Sequence, residues 1–407
     1  MKPALLVVAL VTALGLVVPP ALAAPDDAGA AKKESFALTM KLDGRVIVPS
    51  GDPNAIGDLT VATGSLEETD GTKAGTMTMV GRVLSSLKGD SELRDTQVTV
   101  ALKGGTLLVQ SVNEDPKGKP PEVGHIMPIV GGTGRYASAR GTLNLVYQSE
   151  GRYLMLIDLF TSTSLKTTSV KFPAPQTVSI PAPKTAKQGI GGVTLRYSDD
   201  STVSYASVAT RVASQGATTT DSVDLQVFLA DGTVYARGLA TTKSKAAKAQ
   251  VYAILGGTGK YAGYRGELTV AGKGNAITLR MAPPEGKKDS SRKWGEVTER
   301  DHEVAITGGS MLAAEGSITG LKGKNSWIAS VTTYQPVGAF VPVITMVERT
   351  FEDGTMVVSG MSNGAVEQKA YERPVIGGTG GLAGAGGQAV SSPVSATKWN
   401  IAATVWQ

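Results

Sequence analysis

The 407-residue sequence contains no cysteine and only two histidines, His125 and His302. Without cysteine the chain can form no disulfide, thiolate metal site, iron–sulfur cluster or cysteine nucleophile. Two histidines are too few for a histidine-rich metal centre. Aromatic residues make up 5% of the chain, so its cores must consist mainly of Val, Leu, Ile and Ala. We therefore predict a protein that holds no metal and no cofactor.

Charge is also sparse. Charged residues account for 18% of the chain, and the formal net charge is +5. The lysines of the segment Lys243–Lys248, and the pair Lys287 and Lys288, have no aromatic residues between them. Such clusters are typical of a solvated surface rather than of a nucleic-acid site, which combines basic and aromatic side chains. We expect no nucleic-acid partner.

Only the N-terminus carries a long apolar run. Lys2 precedes the run Ala4–Val18, which is followed by two prolines and by Ala21-Leu22-Ala23. A basic start, a short apolar stretch and a small-x-small end are the parts of a secretory signal peptide. The run is shorter than the roughly 20 residues that span a bilayer. We predict a signal peptide over 1–23, a flexible leader over 24–33, and a secreted or extracytoplasmic mature chain with no membrane span.

Glycine, by contrast, is abundant, with 50 residues. The sequence GGTG begins at Gly131, Gly256 and Gly377, at spacings of 125 and 121 residues. A weaker Gly-Thr motif precedes each copy by 23 to 26 residues, at Gly105-Thr106, Gly232-Thr233 and Gly354-Thr355. Two motifs in nearly constant register indicate three homologous repeats.

The repeats and the Pro-, Lys- and Ser-rich stretches between them define the expected domains. The predicted segments are repeat 1 over 34–171, a linker over 172–187, repeat 2 over 188–282, a linker over 283–293, and repeat 3 over 294–407.

Each repeat has the pattern of antiparallel β-structure. Short runs rich in β-branched residues, such as Val98–Leu102 and Leu225–Leu229, lead into the Gly-Thr turns, and similar runs follow them. Apolar runs on both sides of a glycine turn are typical of β-hairpins. No stretch has a helical apolar period long enough for a core helix. Many short strands in units of about 120 residues predict an all-β fold built from small barrels or sandwiches.

The GGTG segments are similar to the signature stretch of the allene oxide cyclase and dirigent barrel superfamily. In that stretch GGTG is followed by a tyrosine and by Arg-Gly, between apolar strands. Repeat 3 departs from the pattern, with Leu382 and Gly386 at the tyrosine and arginine positions. The matching residues are Gly131, Gly132, Gly134, Tyr136 and Arg140 in repeat 1, Gly256, Gly257, Gly259, Tyr261 and Arg265 in repeat 2, and Gly377, Gly378 and Gly380 in repeat 3.

The resemblance implies three tandem antiparallel eight-stranded β-barrels, each with an apolar cavity. Because barrels of this superfamily commonly assemble as trimers, it also implies that one chain packs its three barrels together as an intramolecular pseudo-trimer. The chain would then be a monomer.

The residues themselves favour a structural role for GGTG, with the glycines allowing a sharp bend and the Tyr and Arg fixing the turn on the barrel wall. The rival interpretation is a dinucleotide site, since Gly132, Gly134 and Ala137 match G-x-G-x-x-A. That site needs a following helix. The strand-like sequence after Gly141 argues against it.

Two observations in repeat 3 point to a binding site. Arg349 aligns with Val100 and Val227 of the other repeats. An arginine on a face that is apolar in its sister repeats either points into the cavity or forms a surface salt bridge, and a buried one needs an anion or acceptor partner. Glu348 is expected on the opposite face, because side chains alternate along a strand.

The second observation is the string Glu296-Val297-Thr298-Glu299-Arg300-Asp301. It is similar to the first-strand Glu-x-Asn-Glu-Arg-Asp pattern of plant allene oxide cyclases, in which the glutamate and the asparagine line the cavity. The resemblance implies that role for Glu296. Thr298 replaces the asparagine, and Ala305 stands where the family has a proline. Repeats 1 and 2 have no such string, so the other two barrels are scaffolding if polar lumen residues are confined to repeat 3.

Three functions remain open. The first is a dirigent-like protein that binds an apolar small molecule and steers its conformation. The second is a structural or surface protein whose barrels are filled by their own side chains. The third is a cofactor-free isomerase or cyclase, with Glu296 and Arg349 as its catalytic candidates through electrostatic steering. In either ligand-binding case the candidate site is Glu296, Thr298 and Arg349.

Overall fold

The computed structural model describes residues 32–86, 90–117, 124–162, 164–184, 186, 189–199, 203–243, 249–272, 276–366 and 369–407. The predicted signal peptide and all but the last two residues of the predicted leader lie outside these ranges. Within them no helix has the length and apolar character needed to cross a membrane. The described chain is all-β, apart from single 3-10 turns at Gly259–Tyr261 and Gly380–Leu382.

The first unit is a closed barrel of eight antiparallel strands. Its strands follow one another in chain order around the barrel. They are β1 (Lys32–Val48), β2 (Leu59–Glu67), β3 (Lys73–Ser86), β4 (Ser91–Leu102), β5 (Gly105–Pro116), β6 (His125–Gly134), β7 (Arg140–Ser149) and β8 (Arg152–Thr161).

The second unit is a strongly curved nine-stranded sheet with β9 and β10 at its two edges. The strands are β9 (Lys166–Lys171), β10 (Gln176–Ile180), β11 (Val193–Asp199), β12 (Ser204–Gln215), β13 (Thr218–Leu229), β14 (Gly232–Lys243), β15 (Gln250–Gly257), β16 (Arg265–Val270) and β17 (Ala276–Ala282).

The third unit is again a closed eight-stranded barrel. Its strands are β18 (Lys288–Ile306), β19 (Gly309–Thr319), β20 (Ser326–Tyr334), β21 (Pro342–Phe351), β22 (Gly354–Asn363), β23 (Tyr371–Gly378), β24 (Gly386–Ser395) and β25 (Lys398–Trp406). The prediction of an all-β chain of three antiparallel barrel repeats is thus confirmed, with one difference in the second unit.

That difference concerns closure. In the first and third units one long strand, β1 or β18, closes the barrel. The N-terminal half of that long strand pairs with the last strand of the unit, and its C-terminal half pairs with the second strand. In the second unit two short strands stand in place of that long strand: β9 pairs with β17 and β10 pairs with β11, and the sheet remains open between β9 and β10. The residues between them are Phe172-Pro173-Ala174-Pro175. Proline has no N–H to donate and a fixed φ, so this segment cannot continue a strand ladder.

Strand pairing also places two predicted boundaries differently. Strand β9, assigned from sequence to repeat 1, belongs to the second sheet, and β10 lies inside the segment predicted as a linker over 172–187. Likewise β18 begins at Lys288 within the predicted linker over 283–293 and pairs there with β25. Antiparallel pairing uses backbone groups, so polar and Pro-rich composition does not reveal it. The division into separately folding domains stays a prediction.

Each unit encloses an apolar core, and a further cluster joins the three. The shared cluster draws Leu84, Leu108 and Val130 from the first unit, Tyr235 and Leu255 from the second, and six side chains from the third. Strands β6, β15 and β23, which lead into the three GGTG motifs, contact one another at this junction. The three units therefore pack around a common centre.

Candidate functional site

The GGTG motifs build the junction between the units. A Cβ placed on Gly131 would lie 2.7 Å from Leu255 Cδ2, and one on Gly256 would lie 2.8 Å from Pro374 Cβ. One on Gly377 would lie 3.0 Å from Pro128 Cβ. The first glycine of each motif thus packs closely against another unit: the first unit against the second, the second against the third, and the third against the first. A side chain at any of these glycines would prevent that close approach.

The remaining motif residues act within and between units. The motif threonine pairs with the Gly-Thr threonine in every repeat: Thr106 with Thr133 at 2.8 Å, Thr233 with Thr258 at 3.0 Å, and Thr355 with Thr379 at 2.9 Å. Tyr136 packs into the first barrel's core. The arginine differs from expectation: Arg265 does not fix its own turn but donates to backbone carbonyls of the third unit.

The first strand of the third barrel carries the predicted site residues on one face. Alternation along β18 directs Trp294, Glu296 and Thr298 to the same side. Trp294 and Glu296 are buried, and Trp294 belongs to the apolar core of the third barrel. Thr298 is half-buried and lies next to a register shift between β18 and β19.

The structure brings Glu296 and Arg349 together. Arg349 Nε donates to Glu296 Oε1 at 2.5 Å, and its Nη2 donates to Glu296 Oε2 at 3.3 Å. Trp294 Nε1 donates to the same carboxylate at 2.8 Å, and the guanidinium lies 5.6 Å from the Trp294 ring. Arg349 is only 1% exposed, so of the two interpretations offered by the sequence it takes the interior one.

Glu348 takes the opposite face, as alternation requires. Its side chain leaves the barrel and accepts a hydrogen bond from the Val112 backbone N–H of the first unit at 2.8 Å. Burial raises the pKa of Glu348 to about 7, a shift that the Val112 hydrogen bond opposes. Two consecutive residues of β21 therefore point in opposite directions: Arg349 lies in the barrel interior, and Glu348 lies at the junction with the first unit.

Sequence reasoning missed a second arginine, Arg373 on β23. Its guanidinium stacks 5.0 Å from the Tyr371 ring, and burial lowers its pKa to about 10, with Arg349 adding to the effect and Tyr371 opposing it. The repeat register contained the signal, because Arg373 aligns with Met127 and Tyr252, both core residues of their units. The comparison that identified Arg349 would have identified Arg373.

This part of the barrel combines excess positive charge with aromatic surface. The guanidinium groups of Arg349 and Arg373 act on each other, and one carboxylate, that of Glu296, pairs with Arg349. Three buried nitrogen atoms, Arg349 Nη1, Arg373 Nε and Trp327 Nε1, have no hydrogen-bond partner among the residues the structure describes. Trp399 adds a further ring, 6.1 Å from that of Tyr371. Such an arrangement can hold a molecule with an apolar body and an anionic or strongly accepting oxygen group.

Polar side chains are not confined to the third barrel. The first barrel contains a cavity of about 40 Å³ whose lining includes Arg45 and Arg94, and Arg94 forms a buried ion pair with Glu92. Five methionines contribute to the apolar lining: Met40, Met77, Met79, Met127 and Met155. Polar lumen residues are therefore not confined to repeat 3, so the sequence argument for treating the first barrel as scaffolding does not apply.

No protein-family profile and no curated protein sequence matches the chain. Several solved structures are similar to part of it. A pyocyanin demethylase aligns at 22% identity over 31% of this chain and 99% of that protein, with a TM-score of 0.27. An exo-specific intermolecular Diels-Alderase aligns at 12% identity over 32% of this chain and 99% of that protein, with a TM-score of 0.26. A pterocarpan synthase dirigent protein aligns at 20% identity over 36% of this chain and 95% of that protein, with a TM-score of 0.27.

Proposed function

We propose that the chain is an exported, dirigent-like barrel protein whose third barrel binds an apolar small molecule and steers its conformation. The observation that carries the proposal is the neighbouring arginines Arg349 and Arg373: Glu296 pairs with Arg349, and a buried N–H group of each arginine has no partner within the described part of the chain. A buried cation without sufficient counter-charge is costly, so the site favours a ligand that supplies an anionic or accepting oxygen.

Each group has a distinct part in this proposal. Arg349 Nη1 and Arg373 Nε donate to the ligand oxygen, and the rings of Trp327, Tyr371 and Trp399 pack against its apolar body. Glu296 is a positioning residue, because it holds Arg349 by two hydrogen bonds and leaves Nη1 free. Fixing the polar end against an aromatic wall restricts the rotation of the ligand, which is what conformational steering requires.

A cofactor-free isomerase or cyclase is the second candidate. The fixed guanidinium groups could also stabilise negative charge that develops on an oxygen during a rearrangement, since preorganised donors in a dry site favour such a transition state. Turnover of a bound substrate would distinguish this function from steering alone.

The test measures binding of two fluorescent probes of similar shape to the purified full chain. One probe is the anionic 1-anilinonaphthalene-8-sulfonate, and the other is the neutral N-phenyl-1-naphthylamine. All four tryptophans lie in the third barrel, so energy transfer from tryptophan detects a probe bound in or near that barrel, and its loss in the lumen variants assigns the probe to the site. The variants are Arg349→Met and Arg373→Met, with Arg300→Met as the control, because Arg300 is exposed on the same unit and pairs with Glu315.

We expect the anionic probe to bind more tightly than the neutral one and to lose about tenfold or more in affinity in each lumen variant, since one charged hydrogen bond contributes roughly 1.5–3 kcal/mol. Arg300→Met should bind like the unaltered protein. Absence of energy transfer for both probes would contradict the proposal and favour the structural protein with filled barrels. Export is tested separately, by intact mass of the protein recovered outside the cytoplasm, which should correspond to a chain beginning at Ala24.

A further inference from the structure

The arginine position of the GGTG motif forms a second polar site, outside the barrels. Arg140 of the first unit and Arg265 of the second both line one small cavity where the units meet. The third repeat contributes Gly386 at the equivalent position, and Gly386 lines the same cavity. The three equivalent positions of the repeats therefore converge on one point.

Arg265 is buried with its charge uncompensated. It is 6% exposed, and its Nη2 donates to the carbonyls of Ile376 at 2.7 Å and Ala385 at 3.0 Å. Its Nε and Nη1 have no hydrogen-bond partner within the described part of the chain. Burial, together with the nearby charge of Arg140, lowers the pKa of Arg265 to about 9. Two carbonyl oxygens satisfy part of the guanidinium but supply no negative charge.

Arg140 does have a counter-charge. Its Nη2 lies 3.1 Å from Glu285 Oε2, and Glu285 lines the cavity as well. One carboxylate thus faces two guanidinium groups, and the cavity retains one positive charge. The other polar groups in the lining are the hydroxyls of Ser138 and Ser162, and Trp406 forms part of the apolar wall.

The size of the cavity limits what it can hold. Its volume is about 20 Å³. A cavity of roughly 10–15 Å³ on this measure is needed for one water molecule, so the site accommodates a single small species. Carboxylates, phosphates and sulfates with several heavy atoms are too large, whereas a halide ion is comparable in size to water.

The departure of repeat 3 from the motif has a physical reason at this site. A Cβ at Gly386 would lie 3.4 Å from Arg265 Nη2 and 3.4 Å from the Gly263 carbonyl oxygen. An arginine there would crowd Arg265 and bring a third positive charge to the same point. Glycine leaves the space in which the guanidinium of Arg265 reaches the third unit.

We infer that this cavity is a binding site for one monovalent halide ion, chloride in solution, held between Arg265 and Arg140 where the three units meet. The ion supplies the missing negative charge and joins side chains that come from different units. It stabilises the packing of the units, and this role is independent of any ligand in the third barrel.

The first experiment measures thermal unfolding of the full chain in sodium chloride and in sodium gluconate at equal ionic strength. An ion that binds only the folded chain raises the melting temperature as its concentration rises. We expect a chloride-specific increase of about 2–4 °C at a chloride concentration about five times the dissociation constant, where linkage gives roughly 1 kcal/mol, and a further logarithmic rise above it. Equal melting temperatures in the two salts would overturn the inference.

Variants locate the effect. Arg265→Met should abolish the difference between the two salts. Arg280→Met is the matched control, because it removes an arginine of the same unit that is 47% exposed and paired with Glu267. That variant should keep the chloride effect. A chloride effect that persists in Arg265→Met would place the ion elsewhere and contradict the site.

A crystallographic experiment does not depend on the stability of any variant. Crystals of the unaltered protein grown in sodium bromide should show an anomalous peak within hydrogen-bond distance of Arg265 Nε or Nη1. A water molecule there, or no density, would overturn the inference.

Discussion

At the residue scale, the third barrel contains a buried ion pair whose members are not equivalent. Glu296 supplies one negative charge, whereas Arg349 is one of two neighbouring cations, the other being Arg373. Removing one partner of a buried pair leaves an uncompensated charge, which costs about 3–5 kcal/mol. Glu296 should therefore be the more sensitive position.

We predict that Glu296→Gln lowers the free energy of unfolding by about 3–5 kcal/mol and that Arg349→Met lowers it by less. The double variant should be at least about 1 kcal/mol more stable than the sum of the single effects, because the two groups interact directly. Denaturant unfolding of the four proteins measures this coupling. The exposed pair Arg300–Glu315 is the control and should couple by less than about 1 kcal/mol. Additive effects at Glu296 and Arg349 would contradict the observed contact.

Glu348 provides a pH-dependent test at the same scale. Its ordinary pKa is 4.5, and burial raises it to about 7 in the folded chain. The folded state therefore holds a proton that the unfolded state releases between these values, so the free energy of unfolding decreases as the pH rises from about 4.5 to about 7. The second repeat has a glutamine at the equivalent position. Gln226 aligns with Glu348 and accepts a hydrogen bond from the Met361 backbone N–H at 3.1 Å.

We predict that Glu348→Gln stabilises the protein at pH 8 by up to about 3 kcal/mol and changes little at pH 4, where the glutamate is protonated in both states. Urea unfolding at the two pH values measures this. Glu372→Gln, at an exposed position of the third barrel, should show no such dependence. A variant that is less stable at pH 8 would show that the carboxylate, rather than its neutral form, is required at the junction.

At the scale of elements, the strands before the GGTG motifs decide how closely the units approach. Strand β6 meets β15 through Gly131, where an added Cβ would lie 2.7 Å from Leu255 and 3.2 Å from Ala253. Gly44 in β1 offers a contrast, because an added Cβ there would make an ordinary 3.7 Å contact with Thr63.

We predict that Gly131→Ala lowers the free energy of unfolding by about 1–3 kcal/mol, because an extra methyl group in a packed interface forces its neighbours apart. Gly44→Ala should change stability by less than about 1 kcal/mol. Chemical unfolding of both variants gives the comparison. Equal effects would mean that strand propensity, rather than packing between units, accounts for the glycine in the motif.

The sequence predicted strands and turns well where they have a local sequence signal. It predicted them less well where only pairing with a distant strand defines them. The Gly-Thr turns connect β4 to β5, β13 to β14 and β21 to β22, as the hairpin pattern indicated. The two-piece first strand of the second sheet was missed, because Pro173 and Pro175 are typical of a linker and only the partners β17 and β11 reveal the flanking strands. Arg373 differs from these elements, because its alignment with the core residues Met127 and Tyr252 is a signal that the repeats themselves carry.

At the scale of the whole molecule, the shared apolar cluster makes the three units interdependent. Leu255 of the second unit is fully buried in that cluster, and Gly131 of the first unit packs against it. In a protein with a single barrel, covering these apolar surfaces would require two further copies of the protein, whereas this chain supplies all three units. We expect the purified full chain to sediment as a single copy in analytical ultracentrifugation.

We predict that Leu255→Ala destabilises the protein by about 2–5 kcal/mol, as large-to-small changes in a core do. The effect should extend to tryptophan fluorescence, which reports the third barrel, because the cluster is common to all units. Leu321→Ala, at an exposed turn of the third barrel, is the control and should change stability by less than about 0.5 kcal/mol. Unfolding of the third barrel that is unaffected by Leu255→Ala would show that the units unfold independently.

The sequence by itself determined the three repeats and the all-β class and singled out Arg349, because glycine turns, strand alternation and a charge at an otherwise apolar position are local or repeat-encoded signals. Glu296 was singled out by its resemblance to a family pattern. Only the tertiary structure decided that Glu296 and Arg349 meet, that two short strands form the edges of the second sheet, and that Arg140, Arg265 and Gly386 converge between units. These features depend on contacts between residues from 13 to 246 positions apart, most of them in different strands that local sequence does not pair. Burial at those contacts, rather than local sequence, sets the charge balance on which both proposed sites depend.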